Sequence, residues 1–302
     1  MVALLTTRQP TVERIDVDGE AGYFLRDPVR KLPLGYKPEK FPFGHGWGFG
    51  SQRTSYELRR LPEEGIEVLY PIWPNHEGIG NGQRHGYEER LMLKMIELAA
   101  KENNGPVNVG GVSKGGFVAA TVTAKYRPKE VQALQIYCTP DHIGESARKV
   151  TRRVIGEAPG YLPHYIGRNI QKLWSHDETL NGSDSSILEL IRDYLNDFNG
   201  GRIDFAKEVL KFYRQRPISS YGTFPVPVLV VWGDQDPLLD SESQERLYQM
   251  SSDPRSRKEE IPGGEHGLIQ HLNDVVIPLS LEFAEQFRHK RSMVPFYRSL
   301  AA

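Results

Sequence analysis

The chain has 302 residues, 38% of them hydrophobic and 25% charged, and its 38 basic and 39 acidic side chains leave a formal net charge of −1. That length supports a substantial core, as one large α/β domain or two smaller ones, while the balanced charge provides no basic excess to neutralise phosphates and argues against nucleic acid or an anionic membrane as the main partner. The single cysteine, Cys138, rules out an intramolecular disulfide and fits a reducing compartment, so a cytoplasmic location is expected.

The opening residues, MVALLTTRQPTVERIDVDG, lack the charged-then-apolar order of an export signal. Residues 11–30 alternate in the manner of strands around the turn pair Asp18-Gly19, which predicts a hairpin. IEVLYPI at 66–72 reads as a short buried strand, and Leu91, Met92, Met95, Ile96 and Ala99 make one stripe of a helix over 87–100. A strand over 107–111, a helix over 114–126 and a strand over 131–138 follow. Cys138 closes the apolar run VQALQIYC, which predicts a buried structural thiol rather than a nucleophile.

The same rhythm resumes with a strongly apolar strand at 226–232, a polar helix at 241–251, an edge strand at 257–261 and a closing helix at 275–288. Its first member, VPVLVVW, is the longest apolar run and far short of the ~20 residues a membrane-spanning helix needs, so no membrane span is expected. Strands and helices alternating at short intervals imply βαβ units, hence an α/β fold with a mostly parallel central sheet flanked by helices.

Residues 141–222 contain no convincing strand. Ser186-x-x-Glu189 is a capping-box pattern, followed by Ile187, Leu190, Ile191, Tyr194, Leu195 and Phe198 at helical spacing, and a further helix is expected from Asp204. This segment reads as a helical insertion lying over a core made of residues 1–140 and 223–302.

The chemistry concentrates in VNVGGVSKGGFVAA, residues 107–120, where Gly111-Val112-Ser113-Lys114-Gly115 fits G-x-S-x-G. In this strand-to-helix turn a serine hydroxyl stands exposed on strained backbone, and small residues are needed two positions to either side because strand and helix pass close together. The motif alone is weak, since a tight turn with a bystander serine reads the same way. Its place between a credible strand and a credible helix favours a nucleophile. Phosphate-loop spacings, G-x-x-x-x-G-K-[ST] and G-x-G-x-x-G, are absent here. The Lys114 side chain is expected to be a solvated helix-start residue.

A serine hydroxyl needs an imidazole to take its proton and a carboxylate to orient that imidazole. His266, in the Gly-rich IPGGEHGLIQH, follows a predicted edge strand, and His271 is a weaker candidate inside or beside the next helix. Asp234 and Asp236 directly follow the most apolar strand, where parallel sheets build their sites. Asp236 is preferred because Pro237 fixes the backbone beside it, and Asp240 is explained by helix capping. Trp73, His76 and His85 are candidates for the cleft, although such loop residues more often pack or solvate.

HGWG at 45–48, GVSKGG at 111–116, WGDQDP at 232–237 and GGEHG at 263–267, in that order, make the chain resemble the α/β-hydrolase superfamily, in particular members with a helical cap inserted after the sixth strand. The resemblance implies a Ser113–His266–Asp236 triad acting through an acyl-enzyme, and an oxyanion hole from the backbone N–H groups of Trp47 and Lys114. It implies no metal or organic cofactor. It also implies a small-molecule acyl substrate of apolar character, such as a carboxylic ester, held beneath a cap with Tyr161, Tyr165, Trp174, Phe198 and Phe212 at its disposal. C–C bond hydrolysis, lyase or acyl-transfer chemistry, or a non-catalytic ligand-binding role, are the alternatives on this fold. One departure is KPEKFPFGHG at 37–46, where Pro42 replaces the usual β-branched run and predicts a short or bent strand.

Overall fold

The computed structural model describes residues 9–30, 37–46, 50–74, 76, 86–144, 211, 214–236, 238–268 and 271–287. Trp47, His85, Pro237, the predicted helices between 186 and 213 and the aromatic residues named above for the cap lie outside them.

Strands β1 (Thr11–Val17) and β2 (Glu20–Asp27) form the expected hairpin. Asp18 and Gly19 both take positive φ, 54° and 87°, the paired left-handed conformation that a two-residue turn between twisted strands requires. Next come β3 (Glu39–Gly44), helices α1 (Ser51–Glu57) and α2 (Arg60–Glu63), β4 (Ile66–Pro71), α3 (Tyr87–Asn103), β5 (Val107–Val112), α4 (Lys114–Tyr126) and β6 (Val131–Tyr137). After the 141–222 segment, which includes a 3₁₀ turn at Ile218–Tyr221, stand β7 (Val228–Gly233), α5 (Ser241–Gln249), β8 (Arg257–Ile261), a π-helical turn (Leu272–Val276) and α6 (Ile277–Glu285).

Eight strands among the described residues form one sheet in the order β1-β2-β4-β3-β5-β6-β7-β8. Only the β1–β2 and β2–β4 pairs are antiparallel. From β4 to β8 the strands run parallel, so their carboxyl ends share one rim. β3 is a six-residue strand in spite of Pro42: it pairs with β4 through Pro42 and with β5 only from Phe43 on. The proline, which has no N–H for a ladder, sits where the pairing changes partner.

Both faces of the sheet are covered. On one face Met92, Met95, Ile96, Val109, Val118, Val122 and Val230 join α3 and α4 to the strands. On the other, Phe41, Phe43, Leu58, Leu61, Leu229 and Phe283 do the same for α1, α2 and α6. The predicted α3 stripe, Leu91, Met92, Met95, Ile96 and Ala99, is fully buried. A side chain the size of Leu or Met stabilises by roughly 1.5–3 kcal/mol when moved from water to such a position. β5 and β7 are buried almost throughout, as central parallel strands must be.

The two ends of the 141–222 segment meet. Ile218 N–H donates to the Asp141 carbonyl at 2.8 Å, and the Asp141 carboxylate accepts from Ser219 N–H and Ser219 Oγ, each at 2.9 Å. The chain thus leaves and rejoins the sheet layer at one point. No helix among the described residues is long and apolar enough to cross a membrane.

Candidate active site

Ser113 sits between the last residue of β5 and the first of α4, with φ 52° and ψ −119°. That left-handed backbone is strained for a residue with a Cβ, and neighbouring bonds hold it. Ser113 N–H donates to the Tyr137 carbonyl and Phe117 N–H donates to the Ser113 carbonyl, both at 2.9 Å. The glycines are explained by close approach. A Cβ on Gly111 would stand 2.5 Å from the Gly115 carbonyl carbon, and one on Gly44 would stand 2.7 Å from Gly115 Cα. β3, β5 and α4 therefore converge on a point where no side chain fits, and the hydroxyl is pushed out beyond it.

The other two predicted residues arrive from the neighbouring strand ends. Asp236 follows β7 and is nearly buried, at 8% exposure. His266 follows β8. Its Nδ1 lies 2.8 Å from Asp236 Oδ2 and its Nε2 lies 3.0 Å from Ser113 Oγ. An ionised carboxylate can only accept, so Nδ1 carries the proton and Nε2 is left to accept from the serine hydroxyl. The second oxygen of Asp236 accepts from Leu238 N–H at 2.8 Å, which fixes the carboxylate plane. Three side chains spread over 153 residues of sequence thus form one hydrogen-bonded line.

Asp234 has a different place. Its Oδ1 accepts from Gly263 N–H at 2.7 Å, and Gln235 N–H donates to the Gly264 carbonyl at 3.0 Å. These bonds fasten the loop after β7 to the loop that carries His266. A Cβ on Gly264 would meet Gly233 Cα at 2.9 Å, so this second convergence also needs bare backbone. His271 stands at the start of the π-helical turn, outside the hydrogen-bonded line. Asp240 caps α5 by accepting from Ser243 N–H at 2.6 Å, as expected.

One expectation is overturned. The Lys114 side chain is not solvated at the helix start but buried, at 1% exposure, with Nζ 2.8 Å from Glu88 Oε1 on α3. A buried ammonium avoids a large desolvation cost only when paired, and Glu88 provides the partner. Trp73 and His76 pack rather than line open space: Trp73 is fully buried and donates from Nε1 to the His45 carbonyl at 3.0 Å, and the His45 and His76 rings meet edge to face.

Cys138 is buried as predicted, at the end of β6. Its Sγ, a carboxylate oxygen of Asp236 and a ring nitrogen of His266 lie within 4.8 Å of one another, a grouping a soft metal ion could use. Burial, and after it the neighbouring Asp236 charge, push the thiol well above its ordinary pKa. A protonated thiol beside two groups already bonded to each other is a poor ligand set.

The chain matches the serine aminopeptidase, S33, family over residues 43–273. It belongs to that family. Membership makes it an α/β-hydrolase, consistent with the sheet order and strand directions above. Lipase 3 of Moraxella sp. (strain TA144) is 22% identical over 229 residues, which are 67% of this chain and 65% of that protein. The chain spans somewhat less than two thirds of the length of the curated relatives it matches, 65% and 62%. Among solved structures, a bromoperoxidase from Bacillus anthracis superposes with a TM-score of 0.62 at 16% identity, covering 91% of this chain and 100% of its own. A thermophilic esterase from Thermogutta terrifontis gives 0.58 at 16% identity, covering 92% and 100%. At such identities these two likenesses concern the fold alone.

Proposed function

We propose that this hydrolase cleaves a carboxylic ester, or a related acyl compound of apolar character, through an acyl-enzyme. The reading is carried by one observation: the His266 imidazole bridges Ser113 Oγ at 3.0 Å and Asp236 Oδ2 at 2.8 Å. The name shared by the two curated relatives, lipase, supports an ester as the substrate class.

In the proposed reaction Ser113 Oγ adds to the acyl carbonyl carbon as its proton passes to His266 Nε2. Asp236 holds the imidazolium by its Nδ1–H. The carbonyl oxygen becomes an oxyanion, stabilised by the backbone N–H of Lys114 at the start of α4 and by that of Trp47, the donor implied by family resemblance. Collapse breaks the bond to the leaving alcohol, which takes the proton from His266. Water then attacks the acyl-enzyme, giving one proton to His266; the carboxylic acid leaves and the proton returns to Ser113. Residues 141–222 would cap this site as a helical insertion, and the fastening of their two ends at Asp141 supports that division of the chain.

A fluorophosphonate probe should label the wild-type serine, and Ser113→Ala should be neither labelled nor able to turn over p-nitrophenyl acetate. Equal labelling of both proteins ends the assignment. A panel of esters, amino-acid p-nitroanilides and C–C-cleavable diketones then decides among acyl substrates; turnover of only the diketones would replace ester hydrolysis with C–C bond hydrolysis.

A further inference from the structure

The residue after the proposed nucleophile carries a buried charge that the proposed reaction does not use. Lys114 is the first residue of α4, in the opening turn where backbone N–H groups precede the intrahelical ladder. Its ammonium pairs with Glu88, itself 6% exposed in the first turn of α3, and stands 6.0 Å from the centre of the Trp73 ring. Trp73 in turn donates from Nε1 to the His45 carbonyl at 3.0 Å, and His45 Nδ1 lies 2.9 Å from the Gly46 carbonyl. A continuous set of buried contacts therefore joins α3, the start of α4 and the His45-Gly46 turn after β3.

Stability is a poor reason for this arrangement. Replacing a buried ion pair with apolar side chains of similar volume is often neutral or stabilising, so a methionine in place of the lysine and a leucine in place of the glutamate would fill the space as well. What an ion pair adds is direction: it fixes one helix end against another at one relative position. Here the helix end so fixed carries the N–H group that the proposed reaction uses as an oxyanion donor.

We infer that Lys114 and Glu88 are positioning residues, whose buried ion pair holds the first turn of α4 against α3 so that the Lys114 N–H stays aligned with the developing oxyanion. The inference rests on the hydrolase reading above. Its signature is kinetic. A donor displaced by about 1 Å costs transition-state stabilisation, on the order of 10- to 100-fold, while ground-state binding of a small ester hardly changes.

The decisive comparison uses the full chain and p-nitrophenyl acetate. Glu88→Gln should lower kcat about 10- to 100-fold with KM within roughly threefold of wild type. The double variant Lys114→Met/Glu88→Leu removes both charges, so its Tm should return to that of the wild type while kcat stays low. A double variant whose kcat recovers along with Tm would overturn the inference, because the pair would then only avoid an unpaired charge. If that protein does not fold, a Glu88→Gln enzyme with wild-type kcat overturns it equally. Fluorophosphonate labelling of wild-type Ser113 keeps the two failures apart: no labelling sinks the hydrolase reading, whereas labelling with unchanged kcat in the variants sinks only the role of the pair.

Discussion

Asp234 and Asp236 leave the same strand end two residues apart, and their hydrogen bonds divide the work between them. Asp236 reaches the imidazole at 2.8 Å, whereas Asp234 bonds the backbone of the loop that carries it. On the proposed chemistry Asp236→Asn should cost about 10³- to 10⁴-fold in kcat, because an amide nitrogen facing Nδ1 favours the wrong tautomer. Asp234→Asn keeps an oxygen for Gly263 N–H and should stay within roughly threefold of wild type. Equal losses in kcat for p-nitrophenyl acetate would contradict this division. Sequence order favoured Asp236 through the adjacent proline, but the job of Asp234 could not be read there, since its partner lies 29 positions away on another loop. Lys114 was misread for the same kind of reason. A lysine at a helix start is ordinarily solvated, and the partner that lets this one be buried, Glu88, stands on a different helix.

The elements were legible where their causes are local. The Asp18-Gly19 turn, the α3 stripe and the small residues flanking Ser113 each follow from spacing within a few residues, and each stands where spacing put it. β3 was harder: a proline inside a strand reads as a defect until the change of partner at Phe43 is seen. The convergence of Gly233 with Gly264 left no local signature at all, because it joins the end of β7 to a loop that follows β8. The β3–α4 crossing gives an element-scale prediction. Gly115→Ala would place a methyl group against the Gly44 backbone, so β3 and α4 must separate. Overpacking of that kind costs about 1–3 kcal/mol, and thermal unfolding should show a lowered Tm together with loss of fluorophosphonate labelling. A variant with wild-type Tm would mean that the crossing has slack.

Across the whole molecule the mostly parallel sheet was implied by the βαβ rhythm and by family resemblance, and the charge balance was uninformative about fold. Composition could not reveal which acids the fold strains. Asp27 is fully buried at the end of β2, with Ser55 Oγ donating to its Oδ2 at 2.6 Å and Arg30 4.0 Å away. Burial raises its pKa above the usual carboxylate value, and the Ser55 bond and Arg30 only partly offset that. A carboxyl raised on folding binds its proton more tightly in the native state. Its contribution to stability is therefore complete below the unfolded-state value and is lost as pH rises through the folded value. Asp27→Asn keeps an acceptor for Ser55 and removes the titration. Its Tm should match the wild type near pH 4 and exceed it above the folded pKa, as calorimetry across pH would register. A wild-type Tm that climbs over that window in parallel with the variant would refute the assignment.

The knot of hydrogen bonds at Asp141 has a consequence for how such a chain can diversify. Because departure and return are tied at one spot, doubling the excursion between them adds only about 0.6 kcal/mol of closure entropy. Whatever lies between the two ends can be lengthened, shortened or exchanged with little penalty to the sheet layer. On the proposed division of the chain into core and cap, specificity and chemistry can then change on separate schedules within a single polypeptide.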